Sequence, residues 1–241
     1  MSSPSSEPLG RYNHQTLLID ADDTLWENNI YFERAIVSFI SFLDHQVHTV
    51  EQVREHLNAC ERATIAAHGY GLQSFRRSLV DCFEQLSQSP ITPERHAQIL
   101  SFTDAIASSE IELLPDVDTT LQELAQRHQL ILVTKGNQVE QIDKLERSGL
   151  RPFFSAVEVL AEKNANAYRY VVAAHQCEPQ STWMIGNSPR SDINPALTAG
   201  LNAVFIPHDF TWVLEHEVVD APKGNEQLME LRSFAELSNY F

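Results

Sequence analysis

Five short apolar runs punctuate this chain, and what lies between them decides how it can fold. They are TLLID (16–20), LILVT (130–134), SAVEVL (155–160), TWMIG (182–186) and AVFIP (203–207), each bounded by polar residues. Runs of this length without alternation read as strands buried on both faces. Helical patterns separate the later runs. Val117, Leu121 and Leu124 share one helical face, as do Val139, Ile142 and Leu145 in a helix that Gly149 should stop. Ala165, Tyr168, Val172 and His175 mark another. Strands alternating with helices imply parallel pairing and a doubly wound α/β sandwich. A weaker strand is expected within QLMELRS (227–233).

One interval, residues 28–111, breaks the alternation. It carries four helical patterns and no strand signal. Ile30 to Leu43 is broadly apolar; Val50, Val53, Leu57, Cys60 and Ala67 share a face, and so do Leu72, Phe75, Leu79, Cys82 and Leu86. The fourth joins Ile99, Phe102, Thr103 and Ile106, and the breaks are DHQVHT, GYG and SQSPITP. An inserted antiparallel helical bundle is the expectation. The chain then divides into an α/β core (14–27 and 112–241), a helical insert (28–111) and a flexible tail (1–13).

Charge limits the partners. The chain has a formal net charge of −16, which repels nucleic-acid backbones and anionic membranes. A phosphorylated ligand would need local cations. Cys60, Cys82 and Cys177 form no CxxC pair and sit in apolar patterns, which suits free thiols in a reducing compartment. With no run of 18 apolar residues and no signal-peptide pattern at the start, a cytoplasmic protein is expected. The sequence leaves oligomeric state open.

In an open parallel sheet, ligands gather beyond the carboxyl ends of the strands. There the chain places Asp20 and Asp22, then Thr134 and Lys135, then Lys163, then Asn187, Ser188 and Asp192 in GNSPRSD. Together these strand ends supply acids, a hydroxyl, a cation and an amide-plus-acid pair. DADDT matches the D-x-D-x-T nucleophile motif of the haloacid dehalogenase-like hydrolases. LVT ending at Thr134, Lys163, and GNSPRSD resemble that superfamily's later motifs in order and spacing. The insert resembles its helical type-one cap. Two departures stand out. Asn187 occupies a position usually held by aspartate, and Asn164 follows the lysine where proline is common. The resemblance implies the strand order 5-4-1-2-3, which brings the first and fourth strand ends together.

Each residue has chemistry to match. A carboxylate can attack phosphorus and form an acyl phosphate, the role assigned to Asp20. Asp22 can protonate the leaving group and then deprotonate water. A phosphoryl dianion repels an attacking carboxylate, and Mg²⁺ relieves this by binding both. The resemblance implies metal ligands from Asp20, the backbone carbonyl of Asp22, Asn187 and Asp192. Thr134 can hydrogen-bond the phosphoryl group, with Gly136 beside it. Lys163 is expected to pair with Asp20 and phosphate, and Lys135 competes for that place. Asp23 reads as a loop hydrogen-bond acceptor, and Arg190 as a surface or structural ion-pair residue.

If the first insert helix leaves the core, the second returns, so GYG should lie near the site. Tyr70 and Arg76 are then candidates for substrate contact, with Arg77 beside them. Trp26 and Tyr31 either underlie the substrate or pack the linker. HDFTWVLEHE (208–217) reads as a packed loop and helix start, its histidines too irregularly placed for a metal site. The implied activity is Mg²⁺-dependent hydrolysis of a small phosphorylated metabolite. A phosphomutase, a dehalogenase, which needs neither metal nor an acid at Asp22, and a non-catalytic binding protein are the rivals.

Overall fold

The first strand, β1 (Thr16–Ile19), is buried along its whole length and pairs in parallel on both sides. Its partners are β2 (Gln129–Lys135), through Ile19 opposite Leu132, and β4 (Thr182–Gly186), through Ile19 opposite Ile185. Beyond them lie β3 (Ala156–Leu160), β5 (Asn202–Phe205) and β6 (Leu228–Glu230), giving the order β3-β2-β1-β4-β5-β6. The implied order 5-4-1-2-3 is this sheet read from its other edge. The weak strand expected in 227–233 extends it, parallel to β5. This computed structural model describes residues 12–43, 47–87 and 89–241. The expected tail, the DHQ of DHQVHT and Gln88 fall wholly or largely outside them.

Alternation along β1 sorts the two faces, because successive side chains point to opposite sides. Leu17 and Ile19 enter a core with Trp183, Phe241 and the inner face of α6 (Val117–Leu124). Leu18 enters the opposite one with Ile131, Val133, Met184 and the Tyr168–Val172 face of α8 (Ala165–Ala174). Helices on both faces explain why the strands read as unbroken apolar runs. Burying each such leucine or isoleucine contributes about 1.5–3 kcal/mol.

The helix α7 (Gln138–Ser148) departs from expectation. Of Val139, Ile142 and Leu145, only Leu145 is buried; Val139 is 77% exposed. Gln141 and Leu145 form the inner face instead. The reason is a polar demand: Gln141 and Lys144 reach the carboxylate of Asp22. Gly149 ends the helix in the left-handed region, as expected.

Between β1 and α6 the chain forms α1 (Asn29–Leu43), α2 (Val50–His68), α3 (Leu72–Leu86), α4 (Pro93–Ser101) and α5 (Asp104–Ser108). These helices close on their own core of Phe39, Leu57, Phe75, Leu79, Cys82 and Ile99 among others. Cys60 and Cys82 are buried free thiols, and Cys177 is half-buried and free. Thr49 and Gln52 form a capping box that starts α2. The fourth expected helix is two helices. It breaks at Phe102–Thr103, where Thr103 Oγ1 turns back to Leu100 O at 2.7 Å and accepts from Arg76. Chain exit and return run side by side: Glu27 N donates to Glu112 O at 2.9 Å and Leu114 N to Leu25 O at 2.9 Å. Trp26 is fully buried in the α/β core and packs this linker, and Tyr31 donates to Glu112 across it. No helix among the described residues is long and apolar enough to cross a membrane.

Candidate active site

The strand ends and the helical insert enclose a cleft of about 1080 Å³, counting space open to solvent. Its floor is built around Lys163. That residue is 4% exposed, and its ammonium donates to Asp20 Oδ1 at 2.5 Å and to Asp192 Oδ1 at 2.7 Å. Asp20 is delivered by the end of β1, where its N–H still bonds Ile185 O of β4. Lys163 comes from the loop after β3, whose exit is set by Asn164. The Asn164 side-chain oxygen accepts from Asn166 N and Ala167 N and caps α8. That accounts for an asparagine after the lysine. Burial works against the ammonium, but Asp192 and Asp20 outweigh it and hold its pKa above the ordinary lysine value. Asp20 moves up, first through burial and then through Asp192, with Lys163 pulling back. The floor is thus a buried group with two acids to one base.

The competition between the two lysines is decided by contact. Lys135 does not touch Asp20. It donates to Glu215 at 2.6 Å and Ser191 Oγ at 2.9 Å, and its Nζ sits 4.6 Å from the centre of the Tyr70 ring. Tyr70 donates to Glu162 and lines the cleft, so the GYG turn does lie at the site. Gly71 is needed there. Its φ is +125°, and a Cβ would meet Asn137 and the Glu140 carboxylate at 3.1 Å. Glu140 in turn accepts from Leu72 N, joining the insert to α7.

Asn187 is oriented by counting protons. Thr211 Oγ1 donates to His208 O at 3.0 Å, so it must accept from Asn187 Nδ2 at 2.9 Å. The amide oxygen therefore faces Thr24 Oγ1, 3.5 Å away. Thr24 has one hydroxyl proton, and Asp20 Oδ2 at 2.9 Å takes it. Asp20 Oδ2 and Asn187 Oδ1 thus converge on one hydroxyl, two hard oxygen donors of the kind Mg²⁺ selects. Asp192 does not join them directly: Lys163 holds one oxygen and Ser188 N, at 2.9 Å, the other. It packs so closely over Gly186 that a Cβ there would meet its Oδ2 at 2.2 Å.

Asp22 is fully engaged. Oδ1 accepts from Trp26 Nε1 at 2.7 Å and Lys144 Nζ at 2.8 Å, and Oδ2 from Gln141 Nε2 at 2.9 Å. Burial would raise its pKa, but Lys144 above all, with Gln141 and Trp26, brings it below the usual carboxylate value. Thr134 is buried at the cleft and Gly136 follows it. Asp23 behaves as a loop acceptor: it takes Asn28 N and Asn29 N at the start of α1 from a left-handed backbone, φ 60°. Its neighbours Glu27 and His208 complete a small cluster at the linker.

Two expectations need correction. Arg76 does not line the cleft, because Thr103 Oγ1 at 2.7 Å and Asp104 hold its guanidinium inside the insert. Arg190 lies on the surface, as expected, where it makes no ion pair among the described residues and donates to Leu214 O. The 208–217 segment is not only packing. It forms a single 3₁₀ turn, Val213–Glu215, and brings Thr211, Trp212 and Glu215 to the cleft. Glu215 accepts from Lys135 and Ser188 Oγ, and Lys135 with these bonds outweighs burial to lower its pKa. Gln141, Lys144 and Glu215 had no motif to reveal them; only their separations across the fold make them neighbours.

The model of the haloacid dehalogenase-like hydrolase family matches residues 18–206. The chain belongs to that family. A solved haloacid dehalogenase-like family hydrolase from Xanthomonas campestris is 26% identical, with a TM-score of 0.77 over 93% of this chain and 92% of that one. Among curated proteins, glyceraldehyde 3-phosphate phosphatase of Methanothermobacter thermautotrophicus is 30% identical over 103 residues, 40% of this chain and 46% of the relative. N-acylneuraminate-9-phosphatase of Mus musculus is 29% identical over 96 residues, 38% of this chain and 39% of the relative. The aligned stretches span less than half the length of either relative.

Proposed function

We propose that this haloacid dehalogenase-like hydrolase removes phosphate from a small phosphorylated metabolite, with Asp20 as the covalent nucleophile. The observation that carries the reading is the buried Lys163 clamped between Asp20 and Asp192 beneath the cleft. A nucleophilic carboxylate held against a fixed ammonium meets a phosphate dianion with less repulsion than a bare one would. The phosphatase names of the two curated relatives support the same reaction class. Asp20 and Asn187, with the backbone carbonyl of Asp22, would hold Mg²⁺; when bound, the ion neutralises the phosphoryl group against the attacking carboxylate.

Asp20 attacks phosphorus through one carboxylate oxygen, the P–O bond to the organic group breaks, and the leaving oxygen takes a proton. Thr134 offers a hydroxyl to the phosphoryl group at the end of β2. Lys163 follows the charge as it develops, and Asp192 keeps it in place. Asp22 serves the proton steps, first as acid and then as base to the attacking water. In the arrangement described it is a base with every contact filled, so acid catalysis requires release from Lys144. A dehalogenase would have no use for a proton donor at Asp22, which Lys144, Gln141 and Trp26 position with care. The test is turnover of an aryl phosphate with and without Mg²⁺, beside a 2-haloacid. Mg²⁺-dependent phosphate release with no halide release supports the proposal; halide release without phosphate release overturns it.

A further inference from the structure

The insert contributes a polar wall that the floor chemistry leaves unused. Glu61 of α2 lines the cleft at 5% exposure, and its Oε2 has no hydrogen-bond partner among the described residues. Arg54, on the same helix, gives Nη2 to Glu33 of α1 at 2.7 Å, and its Nη1 makes no hydrogen bond to Glu61 or to any other described residue. Ser74 and Ser78 of α3 line the same compartment. Ser74 Oγ donates to Gly69 O at 2.6 Å and Ser78 Oγ to Ser74 O at 3.0 Å. Their protons are used, so only lone pairs face the space. Phe32, Ile36, Ile65 and Phe75 supply the apolar part of the wall.

With Glu61 ionised, this is an acceptor-only patch set in an apolar surface. A buried acceptor without a donor destabilises the fold, and an apolar residue would pack better beside Phe32 and Phe75. Burial raises the Glu61 carboxyl to about 7, with Arg54 and Arg62 drawing it down and Glu33 pushing it up. Arg54 and Arg62 reach it through charge alone, and no described residue hydrogen-bonds its Oε2. What it lacks is a donor.

We propose that Glu61 sets specificity by accepting a hydroxyl proton from the organic part of the substrate, whose class is therefore the polyhydroxylated alkyl phosphates. The C–H faces of such a chain suit the aromatic wall while its hydroxyls meet Glu61, Ser74 and Ser78. This inference rests on the phosphatase reading, but its test does not need turnover.

Binding of erythritol 4-phosphate, butyl phosphate and 4-aminobutyl phosphate is measured by titration calorimetry with Mg²⁺. The Asp20→Asn background prevents turnover, and Glu61 is varied to Leu and to Gln. The expected result is a preference for the polyol ester over butyl phosphate of roughly 10-fold or more. It should fall to near parity in Glu61→Leu and by roughly threefold or more in Glu61→Gln, which keeps an acceptor but loses the charge. Melting curves confirm folding, and Glu61→Gln decides if Glu61→Leu fails to fold. An unchanged preference overturns the proposal, as does tightest binding of the aminobutyl ester. Failure of the phosphatase reading shows separately, as no hydrolysis of any ester by the unmodified protein.

Discussion

Glu61→Gln should make the protein progressively more stable than the parent as pH rises. In the parent, burial shifts this carboxyl from 4.5 to about 7, and Arg54 recovers only part of the loss. A carboxyl whose pKa is raised by folding stabilises the fold fully below its unfolded value, here 4.5. That contribution fades as pH climbs through the folded value near 7. The shift of roughly 2.5 units at 1.36 kcal/mol each amounts to about 3 kcal/mol. With Glu61 5% exposed, solvent screening takes little from it. Gln has nearly the same shape and no titration, so any constant cost of burying an amide cancels between two pH values. For a chain of this size, about 1 kcal/mol moves Tm by roughly 2–4 °C. The Tm difference between variant and parent should therefore widen by roughly 6–12 °C from pH 4.5 to pH 8. Thermal unfolding by circular dichroism in metal-free buffers reads it. A difference that is the same at both pH values would refute the reasoning, since it would mean that Glu61 ionises as freely in the fold as in water.

Lys163→Met leaves Asp20 and Asp192 facing each other in a buried site. Turnover should vanish, and urea unfolding should show a loss of about 3–5 kcal/mol, part of which Asp192→Asn restores in the double variant. Lys144→Met removes the cation that most depresses Asp22. If Asp22 is the general acid, the alkaline limb of the kcat/KM profile should move to higher pH; an unmoved limb means another group supplies the proton. Asn187→Asp adds a charge beside the proposed cation position, so the Mg²⁺ concentration for half-maximal activity should fall, since ligand charge tunes affinity in oxygen-ligand sites. An unchanged metal titration would place the ion elsewhere.

Much of this was legible because local pattern and topology agree. The apolar runs at 17–19, 130–133 and 183–185 are buried on both faces, and periodicity reads such strands well. Asp20, Thr134, Lys163 and Asn187 could be found because strand ends in a parallel sheet converge. Other features escaped for physical reasons. The α7 face was misjudged because Gln141 and Lys144 turn inward to serve a carboxylate far away in sequence. The partners of Asp192, a buried lysine and a backbone N–H, were not legible, because Lys163 and Ser188 meet it only through the fold. Arg76 looked like an anion ligand by charge alone, whereas Thr103 and Asp104 sit within its reach. Glu215 lay in a segment with no periodicity, where only the tertiary fold shows that it faces Lys135.

The central claim is a phosphoryl group carried by Asp20, and rapid quench tests it most directly. The protein is mixed with acetyl phosphate or an aryl phosphate and Mg²⁺, stopped in acid within milliseconds, digested and mapped by mass spectrometry. The account predicts a hydroxylamine-sensitive acyl phosphate on the peptide containing Asp20, absent from Asp20→Asn. Steady phosphate release with no such adduct, or with the adduct on another residue, would contradict it.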